Sequence, residues 1–201
     1  MKIHFMIGSK EYEDLIDKDP SLKPIIDALG DMHVEPKTDY FHSLISAILS
    51  QQLSGKVANV IVKRFFDHFG HRTNPDDIIN EPDDVLRKLG ISRQKITYIK
   101  SLSSCIKDES VHLSETNEMT DNEVIDMLVK VKGIGVWTAQ MFLIFSLGRT
   151  DVFSCMDLGL RNAVKKLLAN PDLTVKEMEE ISKKWSPYRS VVSLYLWRWV
   201  D

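Results

Sequence analysis

Apolar residues recur at helical spacing along most of the chain. Phe41, Leu44, Ile45, Ile48 and Leu49 line one face of a segment that Asp39 is placed to cap. Ala58, Ile61 and Phe65 mark a second helix that ends before Gly70. Asn74-Pro75 and Glu81-Pro82 predict two short helices with proline at the first helical position. After the turn at Gly90, a further stripe runs through Ile96, Ile99, Leu102 and Ile106. Thr120 and Glu123 have capping-box spacing and predict a helix through Val124, Leu128 and Val129 that reaches Val131. Thr174 and Glu177 repeat the signal ahead of Met178, Ile181 and Trp185, and Pro187 is predicted to start a last helix rich in Val, Leu, Tyr and Trp. Convincing alternating runs, low-complexity linkers and internal repeats are missing, so the pattern predicts an all-α fold.

Composition adds limits. With 201 residues, 43% hydrophobic and 27% charged, the chain suits one domain or two helical lobes. It opens with no apolar core of signal-peptide length, and no apolar run approaches the roughly 20 residues of a membrane span. Cys105 and Cys155 lie in different segments, which leads us to expect a reduced intracellular protein without disulfides. The formal charge of -3 argues mildly against a nucleic-acid partner, but the charge is unevenly spread. Residues 1–40 hold five Lys/Arg against nine Asp/Glu, and residues 101–128 hold one against seven. Residues 129–170 reverse the balance, six (Lys130, Lys132, Arg149, Arg161, Lys165, Lys166) against two (Asp151, Asp157).

That basic segment contains the most informative stretch, LVKVKGIGVWTA from Leu128 to Ala139. Gly133-Ile134-Gly135 interrupts two helical segments, the second predicted from Val136 to about Leu147. Two glycines around one apolar residue allow a tight turn and strip it of side chains. Ile134 is expected to anchor the turn in the core. Backbone N–H groups at the start of the second helix can then approach a phosphate, at the electropositive end of the helix. Lys130 and Lys132 add positive charge. Such a device grips the DNA backbone without reading sequence. A plain turn between two helices explains the glycines equally well on their own. A dinucleotide loop does not, because a helix rather than a strand precedes them.

The longer segment LVKVKGIGVWTAQMFLIFSLGRTDVFSCMDLGLRNAV resembles the helix-hairpin-helix and catalytic-aspartate signature of base-excision DNA glycosylases, in particular the 3-methyladenine DNA glycosylase II branch. FHSLISAILSQQLSGKVA (Phe41 to Ala58) resembles the helix leading to the loop that enters DNA. Gly90 to Lys95 with Tyr98, and Trp185 to Ser190 with Tyr195 and Trp197, are similar to two further markers in the family's order. The resemblance implies two helical lobes flanking a DNA-binding cleft, one of about residues 38–128 and the other of 1–37 plus 129–201, within a single catalytic core spanning 1–201. A compact monomer is expected, too short for the additional N-terminal β domain of some relatives.

The resemblance makes Asp157 the catalytic carboxylate. Local sequence alone favours helix capping, since Ser154 and Asp157 fit a capping-box variant, and the two roles are compatible. Breaking an N-glycosidic bond develops positive charge on the sugar, which an ionised carboxylate stabilises while orienting a water. A purine methylated at N3 or N7 is already cationic and leaves without a second, protonated carboxyl. Bifunctional relatives carry a lysine nucleophile two residues after the hairpin's last glycine; here Trp137 stands there and cannot form a Schiff base. The four C-terminal cysteines that hold an iron–sulfur cluster in some members are missing after Cys155, so no cluster and no required cofactor are expected.

The same resemblance implies further roles. Gln52 is the intercalating residue with Leu53 as helper, beside Gln51, which serves equally well as a tie between two helices. Lys132, Gly133, Ile134, Gly135, Val136 and Thr138 form the hairpin's DNA contact. Trp137 and Trp197 line the base pocket with Met141, which occupies a position that is aromatic in some relatives. Indole faces suit a cationic base, with stacking and cation–π energies of about 1–3 kcal/mol each. Trp185 and Trp199 read as core. Backbone carbonyls of Val129, Val131 and Ile134 hold a Na+ or K+ ion. The expected partner is double-stranded DNA containing alkylated bases, with no membrane. The expected location is cytoplasmic and nucleoid-associated in a bacterium, nuclear in a eukaryote. Two other readings stand beside removal of 3-methyladenine and 7-methylguanine: a same-fold glycosylase for hypoxanthine or another damaged base, and a non-catalytic helix-hairpin-helix DNA-binding protein.

Overall fold

The computed structural model describes residues 3–70 and 73–200 and divides into two units. One comprises residues 1–36 and 143–201, the other residues 37–142. The second boundary lies well beyond the expected one at residue 128. The turn after that point is tied to earlier helices of the middle unit, by contacts described below, so it stays with them.

The first unit begins with strand β1 (Ile3–Phe5), helices α1 (Lys10–Lys18) and α2 (Lys23–Leu29), and strand β2 (Met32–Val34). The strands pair antiparallel, with Ile3 opposite Val34, His4 opposite His33 and Phe5 opposite Met32. This short pair is a minor addition to the helical fold that the sequence predicts. Three residues are too few to display a period of two, yet Ile3, Phe5 and Met32 are buried while both histidines face out. Phe5 packs against Tyr12, Tyr188 and Tyr195, with ring centroids 5.9–6.5 Å apart.

The middle unit contains α3 (Tyr40–Ser50), α4 (Gly55–Phe69), α5 (Pro75–Asn80), α6 (Asp83–Lys88), α7 (Arg93–Lys107) and α8 (Asp121–Leu128). Helix α9 (Val136–Phe145) begins in this unit. Asp39 caps α3 by accepting from the His42 N–H at 2.8 Å, and Thr120 and Glu123 form the expected reciprocal box on α8. Asn74 also caps α5, with Asp77 completing the box. Pro82 is the cap of α6 rather than its first residue, and α8 stops at Leu128 instead of Val131. α7 packs on α3, α5 and α6 through Ile96, Ile99 and Leu102, all fully buried.

The chain returns to the first unit with α10 (Leu158–Leu167), α11 (Val175–Ser182) and α12 (Arg189–Val200). α12 starts two residues after Pro187, whose peptide bond to Ser186 is cis. It packs on α2, α10 and β2 with Val192, Tyr195 and Leu196 buried. Trp185 is completely buried, and its indole N–H donates to Asp19 Oδ2 at 2.7 Å. Trp199 is half-buried beneath the Lys166 ammonium, 4.2 Å from the ring centroid. No described helix is long and apolar enough to cross a membrane.

Candidate nucleic-acid interface and the Asp157 site

In the middle unit, α8 and α9 are joined by a turn over residues 129–135. Val129 N–H still donates to Ile125, then Val131 N–H reaches back to Leu128 and Ile134 N–H to Val131. Gly133 adopts φ +94°, a region closed to most side chains, and a Cβ there would lie 2.2 Å from the Tyr98 ring. Conformation and close packing therefore both require glycine at 133. Gly135 is exposed, and a Cβ on it would meet nothing within 4 Å. Its value is the bare approach it leaves to the first turn of α9, whose N–H groups point outward by helix geometry.

The predicted hairpin residues divide by exposure. Lys132, Gly135, Val136 and Trp137 are exposed, Trp137 by 44%. Ile134 is buried, as its anchoring role requires, and the Thr138 side chain is buried too, so these two can offer only backbone groups to a phosphate. Met141 is half-buried one turn beyond Trp137. Val131 O accepts the Ile134 N–H at 3.0 Å and keeps a second lone pair, compatible with a small cation held by carbonyls of this turn. Among the described residues, no group of three His, Cys, Asp or Glu side chains is placed to hold a metal.

Between α3 and α4 lies the predicted wedge loop. Gln52 is exposed with φ +57°, uncommon for a residue with a side chain and a small reservoir of strain. Leu53 is half-buried. Gln51 is different: its side-chain amide donates to the Gly133 carbonyl at 2.9 Å. Of its two predicted roles, the structure displays the tie, which joins the loop to the hairpin turn.

In the first unit, Asp157 is itself the cap of α10. Its Oδ1 accepts the Leu160 N–H at 2.8 Å and the Trp197 indole N–H at 2.9 Å. The capping box suggested by Ser154 is not formed, since Ser154 Oγ is buried without a partner. Trp197 is thus tied directly to the Asp157 carboxylate. Its ring stacks on Phe145, with centroids 5.9 Å apart, while its N–H holds the carboxylate. The close approach needs Gly159, where a Cβ would sit 3.2 Å from Asp157 Oδ1 and 3.3 Å from the Trp197 ring. A glycine in the first turn of a well-capped helix was the available signal for this, since only close packing compensates its poor helix propensity. Met156 and Leu158, each 67% exposed, flank Asp157 as apolar surface that the sequence patterns did not single out.

The approach to Asp157 is pinned by the C-terminal marker. Arg189 donates from Nε and Nη2 to the two oxygens of Asp151 at 2.7 and 3.0 Å, and Ser186 Oγ donates at 2.7 Å. Burial alone would raise the Asp151 pKa, but these donors outweigh it and hold the carboxyl below its usual range. Ser190 N–H donates to Thr150 O, and Ser190 Oγ accepts from Val152 N–H. Cys155 is half-buried, and burial together with Glu179 pushes its thiol upward, so it stays protonated and is a poor nucleophile.

The chain as a whole is similar to known proteins. A profile of the HhH-GPD superfamily of base excision DNA repair proteins matches residues 45–187. The chain belongs to this superfamily. It is 35% identical to a DNA-3-methyladenine glycosylase of Saccharomyces cerevisiae, the match covering 92% of the chain and 77% of the relative. A DNA-3-methyladenine glycosidase structure from Bacillus halodurans superposes with a TM-score of 0.87 at 35% identity, covering 98% of this chain and 91% of that one. The 3-methyladenine DNA glycosylase of Schizosaccharomyces pombe, solved in complex with abasic DNA, superposes with a TM-score of 0.85 at 30% identity, covering 94% and 96%. The chain spans 59% of the length of a Bacillus subtilis protein to which it is also 35% identical.

Proposed function

We propose that this chain is a monofunctional DNA glycosylase that hydrolyses the N-glycosidic bond of alkylated purines, 3-methyladenine and 7-methylguanine above all. The observation that carries the reading is the doubly held carboxylate of Asp157 in a chain that also presents a bare, basic hairpin. The superfamily membership and the names of the similar enzymes support it. The hairpin's backbone N–H groups would bind phosphate, with Lys130 and Lys132 supplying charge. Gln52 and Leu53 would fill the gap left by the extruded base. Trp137 and Met141, on the outward face of α9, would meet that base, and the Phe145–Trp197 pair would add aromatic surface near the sugar.

Asp157 would act on the sugar. As the bond to the purine lengthens, positive charge develops on the deoxyribose and the ionised carboxylate stabilises it. The same group orients water for attack. A cationic methylpurine departs as a neutral base, with no acid required. With Trp137 where a lyase would place lysine, the product is an intact abasic strand. The carbonyls of Val129, Val131 and Ile134 would hold a Na+ or K+ ion, whose charge would favour a phosphate at the turn. Incubation with oligonucleotides carrying 3-methyladenine, 7-methylguanine or hypoxanthine, followed by mass analysis of released bases and intact strands, tests the reading. Release of the methylpurines without strand cleavage is expected. Release of hypoxanthine alone, or cleavage before alkali, would replace it.

A further inference from the structure

The wedge loop and the hairpin turn are separate in sequence, yet one helix face supports both. Along α7, Lys95, Tyr98 and Ser101 follow one another at about one helical turn. The Lys95 ammonium donates to Leu49 O at 2.7 Å, at the end of α3 just before the wedge loop. The Tyr98 ring lies under Gly133, where even a methyl group would collide with it. Ser101 Oγ accepts the Lys132 N–H at 3.3 Å. The Gln51 amide closes the circuit from the loop to Gly133 O at 2.9 Å. Lys95 is partly buried in this arrangement, and burial lowers its pKa; an amine is seldom desolvated unless its position matters to the local structure.

We infer that Lys95, Tyr98, Ser101 and Gln51 form a positioning platform that fixes the spacing between the phosphate-binding turn and the Gln52 wedge, so that anchoring the backbone and holding a base outside the helix occur as one preorganised event. These are positioning residues, since each acts through the loop or the turn it holds. The inference rests on the glycosylase reading above. Its physical basis is the precision such work demands: a group misplaced by about 1 Å loses much of its effect. The left-handed Gln52 also needs surroundings that over-determine its backbone.

The test compares wild type, Gln51→Ala and Lys95→Met on two duplexes. One carries 7-methylguanine opposite cytosine, the other carries it opposite an abasic site, where the lost pairing makes extrusion easier. Loss of one such hydrogen bond should slow single-turnover excision from the paired duplex about tenfold, with most of the rate recovered opposite the abasic site. Fluorescence of 2-aminopurine placed at the target position reads extrusion without excision, and both variants should show a smaller rise at saturating protein. Thermal unfolding of each variant confirms that it is folded, and Lys95→Met keeps a measurement available should Gln51→Ala fail to fold. Equal slowing on both duplexes, or an unchanged fluorescence rise, would overturn the platform. Wild-type extrusion with no excision of any base would instead overturn the glycosylase reading and leave the fluorescence comparison to decide the platform.

Discussion

At Asp157 Oδ1 two donors converge, the Leu160 N–H and the Trp197 indole, and each restrains a different motion of the carboxylate. The backbone donor belongs to the start of α10 and fixes the residue as a cap. The indole fixes the plane in which the group faces. Trp197→Phe keeps an aromatic ring against Phe145 but removes the donor, so excision should slow about tenfold in single-turnover kinetics while affinity for undamaged DNA stays unchanged. Wild-type rates in this variant would reduce Trp197 to packing. The sequence singled out Asp157 through its family motif and Trp197 as an expected pocket residue, but not the hydrogen bond between them. A hydrogen bond between residues 40 positions apart leaves no local signature. Gly159 left one, an unfavoured residue in a capped first turn, whose meaning depended on a ring that only the fold brings close.

Elements were legible where caps punctuate them. Asp39, Thr120 and Thr174 each announce a helix and each does so through side-chain chemistry confined to four residues. The strands Ile3–Phe5 and Met32–Val34 were not legible, because their pairing joins segments separated by two helices and their length hides the alternation. The end of α8 was misjudged by three residues, since Val129 and Val131 continue the apolar spacing into a turn. Within the hairpin, the two glycines now have separable tasks. Gly133 is a packing requirement against Tyr98, whereas Gly135 has open space around it. Gly135→Ala should therefore fold like the wild type and weaken DNA binding only modestly, by crowding the phosphate's approach. Gly135→Asp, which adds negative charge where a phosphate would sit, should weaken binding to damaged and undamaged duplexes alike, by about tenfold at low salt. Fluorescence anisotropy decides this; equal affinities for wild type and Gly135→Asp would move the phosphate contact elsewhere.

Across the whole molecule, acid sensitivity follows from two carboxylates of the first unit, the buried Asp19 and the half-buried Asp151. Burial tends to raise the pKa of Asp19, but hydrogen bonds from Lys184, Ser21 and Trp185 outweigh it, and Asp151 behaves alike with Arg189 and Ser186. Both sit below the ordinary value of 3.8, so each contributes stability that is complete above it and disappears as pH falls through the folded-state value. The melting temperature should be flat near neutrality and fall below about pH 4, and Asp151→Asn should flatten that acid limb while lowering the plateau. A melting profile unchanged by this substitution would contradict the ion pair's contribution. The hairpin turn lies with the middle unit because Gln51, Tyr98 and Ser101 hold it there, through side chains whose targets the sequence does not name. The most direct measurement of the central claim is release of free bases from methylated DNA by wild type and by Asp157→Asn, with strands analysed before and after alkali. Methylpurine release by wild type alone, with breaks only after alkali and with DNA binding retained by the variant, is the expected result. Equal release by both proteins would contradict the catalytic role of Asp157, and release by neither, with binding intact, would contradict the glycosylase itself.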